Sequence, residues 1–117
     1  MGNVVTPAQV EKRLYDLSKA VDEAHDYFAK REYAYETTKA EYEIAMAKSR
    51  IKNSHPDLKM TAQMRDDQAL IENAELRKAL AITEAEVKAA KENSNRIKVQ
   101  VDITRSIAVS VRASMEV

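Results

Sequence analysis

The chain has one strong interruption of helical propensity in its interior, residues 53–57, which read Asn-Ser-His-Pro-Asp. Pro56 lacks a backbone N–H and disfavours the helical conformation at the residue before it. The only other helix-breaking residues are Gly2 and Pro7, because the 117 residues contain 1 Gly and 2 Pro. Sheets and barrels need many turns rich in Gly, Pro, Asn and Asp. The scarcity of Gly and Pro therefore excludes sheet and barrel folds, and it also excludes glycine-rich phosphate loops. It predicts two long helices joined by one turn.

The first helix has a recognisable start. Thr6 is a suitable N-cap, Pro7 fits the first helical position, and Gln9 completes a capping box. The sequence predicts a helix over about residues 7–52. Its inner face repeats every four then three residues, as a coiled-coil seam does. The seam consists of Val10, Leu14, Leu17, Val21, Ala24, Phe28, Arg31, Tyr35, Thr38, Tyr42 and Ala45.

A second helix is predicted over about residues 61–115, after a turn over about 53–60. Thr61 is the favoured N-cap, with Ser54 or Asp57 as earlier alternatives. The same spacing selects Ala69, Asn73, Leu76, Leu80, Thr83, Val87, Ala90, Ser94, Ile97, Val101, Thr104, Ala108, Val111 and Met115. The polar members of this seam either fix register and partner number or are tolerated where the seam is partly wet. We favour the second interpretation.

The C-terminal third has two possible structures. Its apolar residues alternate with polar ones over 97–112, which is also the pattern of a strand pairing between subunits. A helix is the favoured interpretation, with an apolar arc too wide for one neighbouring helix to cover. This arc is the predicted oligomer interface and contains Ile97, Val101, Ile103, Ile107, Val111 and Met115. The predicted fold is thus all-α, a single domain over 1–117 in which two helices form an antiparallel coiled-coil hairpin that oligomerises.

The net charge is zero, with 19 basic and 19 acidic side chains, but the charges are unevenly placed. Residues 44–65 carry five basic side chains and Asp57 alone as acid. A hairpin would concentrate this charge at its turn, where it could neutralise nucleic-acid phosphates. Tyr42 is the aromatic nearest the basic segment and could stack on a base. The alternative is that these charged side chains form a solvated tip of the hairpin and bind no ligand. The candidate DNA-binding residues are Lys48, Arg50, Lys52, Lys59 and Arg65.

Catalytic and metal-binding patterns are weak. The chain has no Cys, and His25 and His55 lie far apart in the sequence. Residues 22–25, Asp-Glu-Ala-His, resemble half of a carboxylate-bridged metal motif whose second copy is missing. We therefore expect a protein that is not an enzyme and needs no cofactor, metal or small-molecule substrate.

The expected location is the cytoplasm, without membrane contact. No apolar run is long enough for a membrane span, and the N-terminus lacks the pattern of a signal peptide. Residues 1–6 also fit the loose myristoylation pattern, with Gly2 as acceptor. A membrane-surface protein is therefore a third functional hypothesis. The role of Thr6 as a helix cap is the favoured explanation of that pattern.

The sequence around the turn resembles small helical proteins of tailed bacteriophages. Residues 42–50 read YEIAMAKSR and residues 59–66 read KMTAQMRD. Over about residues 10–105 the pattern is similar to UvsY-type recombination mediators, which help a recombinase load onto single-stranded DNA and form ring-like oligomers. The resemblance implies an oligomeric accessory protein of phage DNA recombination or replication in the host cytoplasm. The alternative is a structural or adaptor coiled coil, either a virion component or a protein inhibitor, that binds another protein.

Overall fold

The computed structural model describes residues 5–115, and all of the regular structure within them is helical. Helix α1 spans Pro7–Lys52, α2 spans Ala62–Glu72 and α3 spans Ala74–Met115, with a 3-10 turn at Pro56–Leu58. The predicted all-α class is confirmed. Residues 97–112 lie within α3, so the helical interpretation of this stretch is correct and the strand alternative is wrong.

Both predicted helix starts carry the expected caps. The backbone N–H of Thr6 donates to Gln9 Oε1 at 3.0 Å, and the N–H of Gln9 donates to Thr6 Oγ1 at 3.2 Å. These reciprocal bonds form the capping box that starts α1. Thr61 is the N-cap of α2, since its hydroxyl oxygen accepts from the N–H of Met64. Gly2, the possible myristoylation site, lies outside the described residues.

The turn is fixed by local hydrogen bonds. Ser54 closes α1 by donating its hydroxyl to the carbonyl of Ile51 at 2.6 Å. His55 caps the 3-10 turn, because its Nδ1 accepts from the backbone N–H of Asp57. Lys59 then adopts a left-handed conformation, with φ 51° and ψ 35°. Glycine adopts this conformation without steric cost, whereas Lys must be held there by its surroundings.

The second half of the chain differs from the prediction at Asn73. A single helix is expected from about residue 61, but the structure has two helices that meet at this residue. Asn73 has φ −113° and ψ 25°, outside regular helical values. Its side-chain amide donates to the carbonyl of Ala69 at 2.8 Å and to Ser49 Oγ on α1 at 2.9 Å. The backbone bonds from Asn73 N–H to the carbonyl of Ala69 and from Arg77 N–H to the carbonyl of Asn73 remain in place, so the side chain is an additional donor at this irregular position.

The chain divides into two compact units. The terminal unit consists of Met1–Ala29 and Ala89–Val117, and the turn unit consists of Lys30–Lys88. In both, the predicted seam positions are buried or half-buried, apart from the exposed Met115, and Met46 and Asn53 are buried although the predicted seam did not include them. The core is thin: among the described residues no large side chain falls below 2 % exposure. The buried apolar residues are Val10, Leu17, Ala24, Met46, Ala69, Leu80 and Ala90.

Candidate nucleic-acid interface at the turn

All five predicted DNA-binding cations belong to the turn unit. The last turns of α1 carry Lys48, Arg50 and Lys52, and Lys59 occupies the left-handed position after the 3-10 turn. Arg65 lies in the first turn of α2. Four of these side chains are exposed and Arg65 is half-buried. Their placement follows from the turn, which ends α1 and starts α2 within a few residues.

Two of these cations already have acidic partners on α2. Arg50 Nε lies 2.8 Å from Asp66 Oδ1, and Lys52 Nζ lies 3.2 Å from Glu72 Oε1. Exposed pairs of this kind are worth roughly 0–1 kcal/mol each, so a phosphate can compete with them. They nevertheless reduce the positive charge that α1 presents. The sequence could not indicate this, because it does not say which acids the turn brings beside α1.

Lys48 and Lys59 form no ion pair with any residue in the described range 5–115. Both are exposed, one on α1 and the other on the far side of the 3-10 turn. Arg65 differs from both, since its Nη1 donates to the carbonyl of Met60 at 3.4 Å. Arg65 therefore braces the turn, and Lys48 and Lys59 are the cations most available to an anionic ligand.

Glu72 is held in its charged form. Hydrogen bonds from Gln68, Lys52 and Ser49, in that order of effect, lower the pKa of Glu72 below its ordinary value of 4.5. Gln68 Nε2 donates to the carboxylate at 3.3 Å from one helical turn earlier. A carboxylate stabilised by donors stays ionised at lower pH than a free one. Glu72 therefore keeps its negative charge beside Lys52 throughout the neutral range.

Two other side chains near the turn are less available than their sequence positions indicate. Asn53 is only 4 % exposed, and its Nδ2 has no hydrogen-bond partner in the described structure. Tyr42 is half-buried in the seam of α1, so part of its ring is engaged in packing. Base stacking by Tyr42 would have to use the part of the ring that remains exposed.

The predicted oligomer residues fall into two groups in the terminal unit. Ile97 and Val101 are half-buried in the seam. Ile103, Ile107, Val111 and Met115 line an open, mainly apolar groove of about 680 Å³ together with Val5 and Pro7. Ile103 is 54 % exposed and Met115 is 67 % exposed. This group leaves apolar surface in contact with water.

His25, the residue closest to a metal motif, has cationic neighbours. It lines a small pocket of about 150 Å³ with Phe28, Lys91, Ser94, Asn95 and Lys98. Within residues 5–115, no three His, Asp or Glu side chains gather closely enough to hold a metal ion. Lysine side chains repel a cation, so the pocket does not suit a metal ion.

Comparison of the chain with protein families, with curated proteins and with solved structures finds no match. In the described part of the chain, no helix combines the length and the apolar character that crossing a membrane requires.

Proposed function

We propose that the protein is a non-enzymatic, oligomeric accessory protein that binds single-stranded DNA through the cations of its interhelical turn. The observation that carries the proposal is the presence of two exposed cations on either side of the turn, Lys48 and Lys59, which form no ion pair within the part of the chain that the structure describes. Arg50 and Lys52 would join them by exchanging a carboxylate for a phosphate. Contacts of this kind hold the backbone without reading base sequence.

The fold proposed for this function is an antiparallel coiled-coil hairpin. Residues lining shared pockets in the terminal unit support it, since Val10 lies near Val111 whereas Phe28 lies near Ser94. The residue numbers of the neighbours therefore increase along α1 and decrease along α3, as in an antiparallel pair. The turn unit follows the same rule, with Arg31 paired to Glu86 and Ser49 bonded to Asn73.

Oligomerisation is part of the proposal because one turn offers few free charges. Several turns in one assembly would bind a strand by avidity, which raises affinity without new contacts. The exposed groove residues Ile103, Ile107 and Met115 support such an assembly, since a partner would remove them from water. The proposed setting, phage DNA recombination or replication in the host cytoplasm with a recombinase as partner, rests on the sequence resemblance.

Fluorescence anisotropy with a labelled single strand tests DNA binding. We expect binding at low salt that weakens steeply as salt rises. Lys48→Glu combined with Lys59→Glu should abolish it. The matched control, Lys12→Glu combined with Lys91→Glu, makes the same charge change at exposed positions of the terminal unit and should bind nearly as well as the wild type. No binding at low salt, or equal loss in both double variants, would contradict the proposal.

The second candidate function is a structural or adaptor coiled coil, a virion component or a protein inhibitor. The engagement of Arg50 by Asp66 and of Lys52 by Glu72 favours it, because these pairs reduce the charge offered to DNA. Under this hypothesis the turn would contact an acidic protein surface. Self-association in light scattering without any DNA binding at low salt would support the structural function over the first.

A further inference from the structure

The outer face of α1 in the turn unit carries a second apolar seam. Its members recur at alternating steps of four and three residues, the spacing of a coiled-coil contact. They are Tyr33, Thr37, Ala40, Ile44, Ala47 and Ile51. We call these six residues the outer seam. All six are exposed.

The outer seam lies opposite the buried seam of the same helix. Residues nine apart are two and a half turns apart on an α-helix and so point in opposite directions. Tyr33 is thus opposite the half-buried Tyr42, and Ile44 is opposite the buried Asn53. Tyr33 is 76 % exposed, Ile44 is 56 % exposed and Ile51 is 74 % exposed. A helix with apolar stripes on two opposite sides is expected to have a neighbour on each side.

The charges beside the outer seam indicate which neighbour fits. It is flanked by Glu36 near its N-terminal end, by Glu41 and Glu43 at its middle, and by Lys48 and Arg50 near its C-terminal end. A second copy of α1 laid antiparallel would bring Glu36 of each copy next to Arg50 of the other. Glu36 of one copy would compete with Asp66 for Arg50, an exchange between exposed partners. The two helix dipoles also oppose favourably in this arrangement.

The outer seam is self-complementary in that orientation. With the two-fold axis near residue 42, Tyr33 packs against Ile51, Thr37 against Ala47, and Ala40 against Ile44 of the other copy. Every seam residue then meets another seam residue, as an isologous interface requires. A parallel pair would instead place Glu36 beside Glu41, would place Glu43 beside Lys48, and would align the two helix dipoles in the same direction.

We propose that the outer seam binds the outer seam of a second copy of this chain, forming an antiparallel α1–α1 contact with two-fold symmetry. The interface uses residues other than those of the C-terminal groove, and it forms whether or not the turn binds DNA. Glu41 and Glu43 of the two copies meet near the axis, which is the unfavourable element of the contact, and Glu43 is the basis of one test.

The interface is tested by sedimentation equilibrium of Ile44→Glu beside Ile82→Glu. Ile82 is the matched control because it lies in the same unit and is 59 % exposed, close to Ile44 at 56 %. Ile44→Glu occurs twice in a dimer, and at about tenfold per copy the dissociation constant should rise about a hundredfold. Ile82→Glu should leave the constant near its wild-type value, and circular dichroism should show unchanged helicity in both. Wild-type association of Ile44→Glu, or equal weakening by Ile82→Glu, would overturn the proposal.

Orientation is tested with engineered cysteines, since the chain has no Cys of its own. Oxidation of mixed Tyr33→Cys and Ile51→Cys chains should give a disulfide-linked pair containing one of each, and neither chain alone should give a comparable yield. Glu43→Gln should tighten the dimer several-fold, since it removes a like-charge contact at the axis. Cross-linking of each variant to itself, or weaker association of Glu43→Gln, would indicate the parallel arrangement and refute the antiparallel one.

Discussion

In the terminal unit α1 and α3 meet mainly through apolar side chains, whereas in the turn unit polar groups also connect the helices. Val10, Leu17 and Ala90 are buried in the terminal unit, where the bond from Arg13 Nη2 to Gln100 is long at 3.5 Å. In the turn unit Arg31 Nη1 lies 2.7 Å from Glu86, and Asn73 donates to Ser49 at 2.9 Å.

The two units differ in how strongly their contacts fix the register of the helices. Apolar burial is non-directional, so a seam of similar residues limits sliding only through shape. A hydrogen bond such as that from Asn73 to Ser49 is satisfied in one register alone, and leaving it unmade is costly. We infer that the turn unit sets the register of the helices and that the terminal unit supplies burial within that register.

Leu17→Ala should have the largest effect and tests the apolar side of this comparison. Leu17 is 3 % exposed, so its truncation leaves a cavity and should lower the free energy of unfolding by about 3 kcal/mol. Urea unfolding followed by circular dichroism measures this. The control Leu70→Ala removes the same atoms from a side chain that is 44 % exposed and should cost less than about 1 kcal/mol. Equal losses would mean that the terminal unit does not depend on its seam.

Asn73→Ala should have the next largest effect and tests the polar side. It removes the donor to Ser49 Oγ and to the carbonyl of Ala69, and should lower the free energy of unfolding by roughly 1–3 kcal/mol. Asn93→Ala is the control, because Asn93 is exposed within α3 and should change stability little. If Asn73→Ala were as stable as the wild type, the hydrogen bonds of the Asn73 side chain would not stabilise the fold.

Much of the fold could be predicted because its signals are local. The capping box of Thr6 and Gln9, the cap at Thr61 and the seam spacing each depend on residues a few positions apart. The break at Asn73 was missed because an Asn in a seam position is compatible with a continuous helix. Only its partner Ser49, brought close by the turn, distinguishes the two cases.

The polar residues of the seam show the same limit on what the sequence can predict. Thr83 and Thr104 donate their hydroxyls to carbonyls of their own helix, at 3.0 Å and 2.8 Å, so these bonds do not depend on the register of the helices. Asn73 bonds across to α1, and its bond does depend on that register. In the candidate site, the cations themselves were evident from sequence. Their engagement by Asp66 and Glu72 depends on how α2 lies beside α1, and the sequence carries no local signal for that.

Glu72→Gln tests the charged contacts of the turn unit through pH. Because the pKa of Glu72 is lowered in the folded state, its contribution to stability is present above the ordinary value of 4.5 and is lost as pH falls through the lowered pKa. The wild type should therefore exceed Glu72→Gln in stability at neutral pH, and the gap should close well below pH 4.5. The urea midpoints of the two proteins, at neutral pH and at the low pH, measure this difference in stability. Glu75→Gln, whose partner Lys78 is on the same helix, is the control and should show a smaller gap.

Lys59→Gly should have the smallest effect and the opposite sign. Lys59 has φ 51°, which is unfavourable for a side chain with a Cβ, so glycine should stabilise the fold by about 0.5–1 kcal/mol after its greater entropy in the unfolded chain is counted. Lys48→Gly removes the same side chain from the regular part of α1 and should instead destabilise by about 1 kcal/mol. The signs of the two changes in urea midpoint decide the matter. Destabilisation by Lys59→Gly would mean that contacts of the Lys59 side chain outweigh its backbone strain, and the turn would then owe its shape to that side chain.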